Sequence, residues 1–161
     1  MKLFLKRDIS ADLTSFVVYD DKARPLYTVL CNAETPSKQH IIDREDNVCS
    51  VIKYNSFLMN YFTLRCSGRF YILVPCIGDS FAFAIYGSTY RFSGDLAAGR
   101  FSVFSSDGEI KMTQKKHPDE TGESYELDIH DEEHQLFLLS VAICADMYMT
   151  LTENNNDPCP I

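Results

Sequence analysis

Tryptophan is absent from this sequence, glycine occurs seven times and proline six, and no two cysteines stand at CxxC spacing. Each shortage removes a class. So few glycines and prolines exclude a collagen-like or low-complexity chain. The six cysteines, Cys31, Cys49, Cys66, Cys76, Cys144 and Cys159, lack the spacing of a zinc ribbon or a thioredoxin-like redox site. No P-loop, GxGxxG turn or GxSxG elbow occurs, so neither nucleotide use nor a nucleophilic serine is signalled. Positive charge is in deficit as well: 15 Lys and Arg stand against 23 Asp and Glu, for a net charge of −8 and a pI near 4.9. That is the wrong sign for a general nucleic-acid binder, whose affinity comes from Lys and Arg on phosphates. It also opposes loose adhesion to anionic lipid. The N-terminal run MKLFLKRD is broken at Lys6 and Arg7, too early for a secretory signal. Free thiols in a reducing cytoplasm are therefore expected.

What is present is an ordinary globular balance, 45% hydrophobic and 24% charged, with eleven Phe and nine Tyr. At 161 residues the chain reads as a single domain, 1–161, able to bury about 70% of its unfolded surface. From Lys2 to Ile129 short β-rich runs alternate with turn residues: SFVVYDD, PLYTVLC, HIID, VCSVIKY, NYFTLRC, RFYILVP, FAFAIYG, TYRFSG, RFSVFSS, EIKMTQK and SYELDIH. A run about every 8–12 residues predicts an all-β sandwich or barrel. IIDREDNVCSV (Ile41 to Val51) echoes SVFSSDGEIKM (Ser102 to Met112), setting Asp46 over Asp107 and Asn47 over Gly108. On that echo the sheet divides into halves at 14–75 and 76–130, although any two hairpins share some of this pattern. Asn32–Lys38 and Lys115–Glu123 read as loops. The tail 153–161, with two prolines and three asparagines, reads as the end of helical structure.

One segment has a different period. From Leu136 to Ala145 a run of ten residues has a single polar member, Ser140. Its apolar residues point in every direction of a helix, so a helix over 132–151 must be buried on all sides. A bilayer span needs about 20 mostly apolar residues. An ionised Asp146 inside lipid would cost roughly 2.5–3.5 kcal/mol on insertion scales. The expectation is a core helix wrapped by strands, with no stable membrane insertion. The acidic residues Asp131, Glu132 and Glu133 stand where free N–H groups need caps.

Short strands followed by LFLLSVAICADMY, with FVVYDDKARPLYTV as an early hairpin and GDLAAGRFSVFSSDGEIKM as a later pair, resemble the LURP-one-related family. That family groups with the Tubby C-terminal domains and the phospholipid scramblases. The resemblance spans roughly residues 2–152 and rests on hydrophobic and turn patterns. It implies an antiparallel barrel of about twelve strands around a central hydrophobic helix.

Candidate chemistry is sparse. HDEEH (His130 to His134) fits the HxxEH zinc-protease pattern, but its first histidine falls at a strand end, and the motif reads better as a charged start to the helix. Asp146 reads as a buried structural carboxylate, bonded to backbone N–H groups or to a barrel tyrosine. Lys2, Lys6 and Arg7 at the start, and Lys111, Lys115, Lys116 and His117 on a late hairpin, are the basic groups to test. Tubby domains bind phosphoinositide headgroups through Lys and Arg, so Lys111, Lys115 and Lys116 form a candidate anionic-ligand patch beside the reading of a solvated charged face. No catalytic, cofactor or metal residues are assigned. The function expected is non-enzymatic: a cytoplasmic binding or scaffold module for a lipid headgroup or a protein partner, with no nucleic acid. The alternative is a peripheral membrane protein binding phosphoinositide or other lipid headgroups, with lipid scrambling less favoured because the one helix is needed as the core.

Overall fold

Alternation builds the wall. Along Val48–Asn55, Ser50 and Ile52 are buried while Cys49 and Val51 are only partly buried and Lys53 is exposed, the period-two signature of a sheet packed on one face. The computed structural model describes residues 1–8, 14–32, 34–76, 82–119 and 122–155. In it twelve strands follow in order: β1 (Lys2–Arg7), β2 (Thr14–Tyr19), β3 (Pro25–Asn32), β4 (Thr35–Ile42), β5 (Val48–Asn55), β6 (Tyr61–Cys66), β7 (Arg69–Cys76), β8 (Ala82–Tyr86), β9 (Arg91–Asp95), β10 (Arg100–Phe104), β11 (Ile110–Asp119) and β12 (Gly122–Ile129). A 3₁₀ turn, Glu132–His134, leads into helix α1, Gln135–Asn155.

Every neighbouring pair is antiparallel, and the order β8-β7-β6-β5-β4-β3-β2-β1-β12-β11-β10-β9 rolls the sheet into a barrel. The expected all-β barrel around a C-terminal helix is what forms. β1 pairs with β12 as well as with β2, so Leu3 sits opposite Leu127 and Leu5 opposite both Tyr125 and Val18. The two edge strands, β8 and β9, have no ladder between them. They are five residues each, and the Phe83 and Phe92 rings meet across the seam at 4.9 Å. Short edges closed by side chains leave little template for another chain.

The meander sorts connections onto two ends. The turns β2–β3, β4–β5, β6–β7, β8–β9 and β10–β11 share the end at which α1 begins. The β3–β4, β5–β6 and β9–β10 connections share the end at which it finishes. Three turns of the first end have one geometry. Asp20, Asp43 and Ser105 each donate an N–H to the carbonyl four residues on, and each accepts from the N–H three residues on. That third-on residue is left-handed in each case: Ala23, Asp46 and Gly108. The equivalence sets Asp46 on Gly108, one position from the sequence echo. Because the same turn also joins β2 to β3, the echo marks a recurring turn.

The helix fills the barrel. From Phe137 to Met147 every residue is buried, and Leu138, Leu139, Val141, Ile143 and Cys144 have no exposed surface. Its sequence is long and apolar enough to cross a membrane, but most of it lies inside the sheet. Phe137 meets Tyr71 near the first end, Ser140 and Ser50 share a buried hydroxyl bond of 2.8 Å, and Asp146 reaches β1 near the second.

Several boundaries differ from the sequence reading. Lys2–Arg7 is a strand, because its inward Leu3 and Leu5 complete the wall. Residues Thr35–Lys38 belong to β4, and Lys115–Asp119 with Gly122–Glu123 extend β11 and β12. Pro36 is tolerated since the β5 ladder starts only at Lys38. The helix runs on to Asn155; Cys159 and the rest of the tail lie outside the described residues. Asp131 makes no side-chain capping bond. Leu139→Ala is expected to lower the unfolding free energy by about 2–5 kcal/mol, read from the urea midpoint at unchanged slope. A loss under about 1 kcal/mol would put this side chain in water rather than in a core.

Candidate functional site

On the outer face of β9, β10 and β11 lies an open groove of about 800 Å³. Its chemistry follows from the strand alternation. Register sets Ser102 between Ser93 and Thr113, a row of hydroxyls across three strands. Toward the second end of the barrel the next groups are the cations Arg100, Lys115 and Lys116, with His117 beside them in the same groove. Arg100 and Lys115 are exposed and make no ion pair with a described residue. Two glycines shape the floor. A Cβ at Gly94 would lie 2.4 Å from the Phe101 Cα, its cross-strand partner, so only glycine lets β9 and β10 approach this closely. A Cβ at Gly99, already at φ +66°, would lie 2.5 Å from the Lys116 Cβ. Glycine there leaves room for the aliphatic stem of Lys116.

The candidate basic patch is thereby divided. Lys115 and Lys116 stand in the groove; Lys111 does not. It lies four residues back along β11, about 13 Å away at strand rise, with its ammonium 2.6 Å from Glu109 Oε2. That hydrogen bond raises its pKa, and the charge of Asp131 adds to the shift. Lys2 is also committed: its ammonium lies 2.5 Å from Glu126 Oε1, while His117 Nε2 is 3.1 Å from the other carboxylate oxygen. The bond from Lys2, more than that from His117, holds the Glu126 carboxyl below its ordinary value. Lys6 lies over the Tyr19 ring at 5.8 Å, and Arg7 is drawn to the helix.

At the end where α1 begins, a cavity of about 190 Å³ lined by Arg69, Glu133 and Phe137 adjoins an opening of about 560 Å³ lined by Arg69, Ser88 and Tyr90; Tyr71 and His134 line both. Tyr90 donates its hydroxyl to Asp131 Oδ2 at 2.6 Å, and His134 Nδ1 lies 3.1 Å from the same oxygen. Burial alone would raise the Asp131 carboxyl, but these two partners outweigh it and hold the group below its ordinary 3.8. Burial and then the bond to Asp131 push the Tyr90 phenol up. HDEEH is therefore dispersed: Asp131 and His134 fasten the helix start to the β8–β9 connection, while His130 is exposed, 3.5 Å from Asp128. Among the described residues no group of three or more His, Cys, Asp or Glu is placed to hold a metal ion. The described cysteines are free thiols. Burial pushes Cys66 up to about 11 and Cys144 further, leaving both weak nucleophiles at neutral pH.

At the other end Asp146, with its side chain 8% exposed, accepts from Arg7 Nη2 at 2.8 Å and from the Tyr125 hydroxyl at 3.0 Å. The Arg7 guanidinium lies 4.5 Å from the Phe16 ring centroid. The partner set includes a barrel tyrosine, and it pins the helix to β1 and β12 through a satisfied buried carboxylate.

The same end carries a feature the sequence reading missed. The β5–β6 connection, SFLMN (Ser56 to Asn60), holds three consecutive large apolar side chains in water: Phe57 at 93% exposure, Leu58 at 89% and Met59 at 56%. Fully burying such side chains is worth roughly 1.5–3 kcal/mol each, and the fold forgoes it. The available signal was an apolar run placed between two strands, where turn residues belong.

No protein-family model matches the chain, and no curated protein matches it. Among solved structures it is similar to the X-ray structure of a protein from Arabidopsis thaliana, with a TM-score of 0.63 at 11% identity over 91% of this chain and 90% of that one. At such identity the likeness is one of fold.

Removing Arg7 leaves a buried carboxylate without its cation. Because Arg7 is 29% exposed, Arg7→Met is expected to cost about 2–4 kcal/mol, below the range for a fully buried pair. The double variant with Asp146→Asn should lose less than Arg7→Met alone; additive losses in urea melts would show that the pair is not coupled. Asp131 gives a pH signature. Its folded pKa is depressed, so its stabilisation is complete above the unfolded value and is lost as pH falls through the folded one. Urea midpoints of the wild type and Asp131→Asn should differ at about pH 6 and converge toward about pH 2. A constant gap would remove Asp131 from the acid response.

Proposed function

We propose that this chain is a non-catalytic cytoplasmic binding module of the Tubby-like, LURP-one-related type, and that its ligand is a phosphate-bearing anion held in the β9–β11 groove. One observation carries the reading: Arg100 and Lys115 stand exposed without an ion pair to a described residue in a chain of net charge −8. Lys2, Arg24 and Lys111, by contrast, each have a carboxylate within ion-pair distance. The hydroxyls of Ser93, Ser102 and Thr113 line the same groove, and cations with neutral donors are the usual partners of phosphate oxygens. Free thiols at Cys31, Cys49, Cys66, Cys76 and Cys144 accord with a reducing compartment.

The groove is open, so binding should be electrostatic and sensitive to salt. Titration of the ¹⁵N-labelled protein with inositol hexakisphosphate at low ionic strength is expected to give saturable shifts centred on Ser93, Ser102, Thr113 and Lys115. Arg100→Ala with Lys115→Ala should weaken the affinity by more than about tenfold, since two charge-assisted contacts are lost. Absence of saturable binding, or equal affinity in the double variant, would end this proposal.

A further inference from the structure

We propose that Phe57, Leu58 and Met59 are a bilayer anchor that seats the barrel on lipid by the end at which α1 finishes. This goes beyond the groove and stands without it. Three observations carry it. First, the three side chains project from a five-residue hairpin tip, two of them at 89–93% exposure. Turn chemistry does not require them, since Asn55, Ser56 and Asn60 already supply the polar turn residues. Second, residues 47–78 contain no Asp or Glu, in a chain with 23 of them, and Lys53 lies within three residues of the tip. Third, on the outer face just behind the tip, Lys53 of β5 is the register partner of Lys38 of β4. Neither forms an ion pair with a described residue. Like charges directly opposite each other are destabilising, and an anionic surface would offset that repulsion.

A lipid surface fits this geometry better than a folded partner. The tip is convex and its apolar groups are consecutive, so a protein would have to supply a deep pocket around them. A bilayer interface receives a projecting apolar knob without a preformed cavity, and its headgroups complement the flanking lysines. The strand meander also puts this tip at the barrel end shared by the β9–β10 turn, next to which Arg100 and Lys116 line the groove. Lipid docked there would hold its headgroups at the level of that basic site.

The test uses vesicles of about four parts phosphatidylcholine to one of phosphatidylserine, a composition with a negative surface potential. The wild type should sediment with them. The Phe57→Ser, Leu58→Ser, Met59→Ser variant should keep its circular dichroism and melting temperature, since the sites are exposed, and lose more than about tenfold in partitioning. Lys38→Gln with Lys53→Gln should lose about fivefold per lysine at low salt. Because the chain has no native tryptophan, Leu58→Trp is a single reporter, expected to shift its emission to the blue on vesicles and to be quenched by brominated acyl chains. The Arg100→Ala, Lys115→Ala variant should still give that blue shift, which separates failure of the groove from failure of the anchor. The anchor is overturned by a wild type that stays in the supernatant, by unchanged partitioning of the serine variant, or by emission of Leu58→Trp that does not move. Light scattering that finds a dimer abolished by the serine variant would equally assign the tip to self-association.

Discussion

A helix that is apolar on every side has to be enclosed, and the rest of this molecule is arranged to enclose it. α1 has no face fit for water between Phe137 and Met147, so a single packing surface would leave half of it wet. A barrel covers it from all directions, and away from the β8–β9 seam the wall's own backbone groups are paired within the ladders. The two polar side chains that the helix carries into the core, Ser140 and Asp146, have partners. Ser140 bonds both Ser50 and the Leu136 carbonyl, and Asp146 is met by Arg7 and Tyr125. These contacts also fix how far the helix is inserted and which way it is turned, which apolar packing alone specifies weakly.

Enclosure leaves the outside and the two ends free for other work. The end at which α1 begins is tied down by three identical turns and by the Tyr90–Asp131–His134 cluster. The carboxylates Asp20 and Asp43 accept backbone N–H bonds inside those turns. The opposite end has the exposed apolar tip, and the basic groove lies on the wall toward it. A barrel of paired strands gives the tip and the groove a scaffold that does not move with its loops.

The sequence was legible where burial is periodic and illegible where it is not. Alternation in VCSVIKY and NYFTLRC pointed to β5 and β6, and the all-round apolar run identified α1 as a core element. β1 was missed because Leu3, Phe4 and Leu5 form one short apolar run between Lys2 and Lys6, too short to show a period. The polar stretch Lys115–Glu123 read as a loop, yet most of it is paired strand, since backbone hydrogen bonds across β11 and β12 do not depend on side-chain polarity. The candidate patch shows the same limit. Lys111, Lys115 and Lys116 are close in sequence, but strand rise and the carboxylate of Glu109 take Lys111 out of the groove. Arg100 joins it from a neighbouring strand.

By itself, then, the order of residues determined the kinds of element and the need to bury the last of them, because both follow from local periodicity and from the cost of apolar surface in water. Tertiary structure alone decided which cations share a groove, which carboxylates are already paired, and that Phe57, Leu58 and Met59 face outward at one end. Those depend on cross-strand register and on the sorting of turns by an antiparallel meander, and both are relations between segments far apart in the chain.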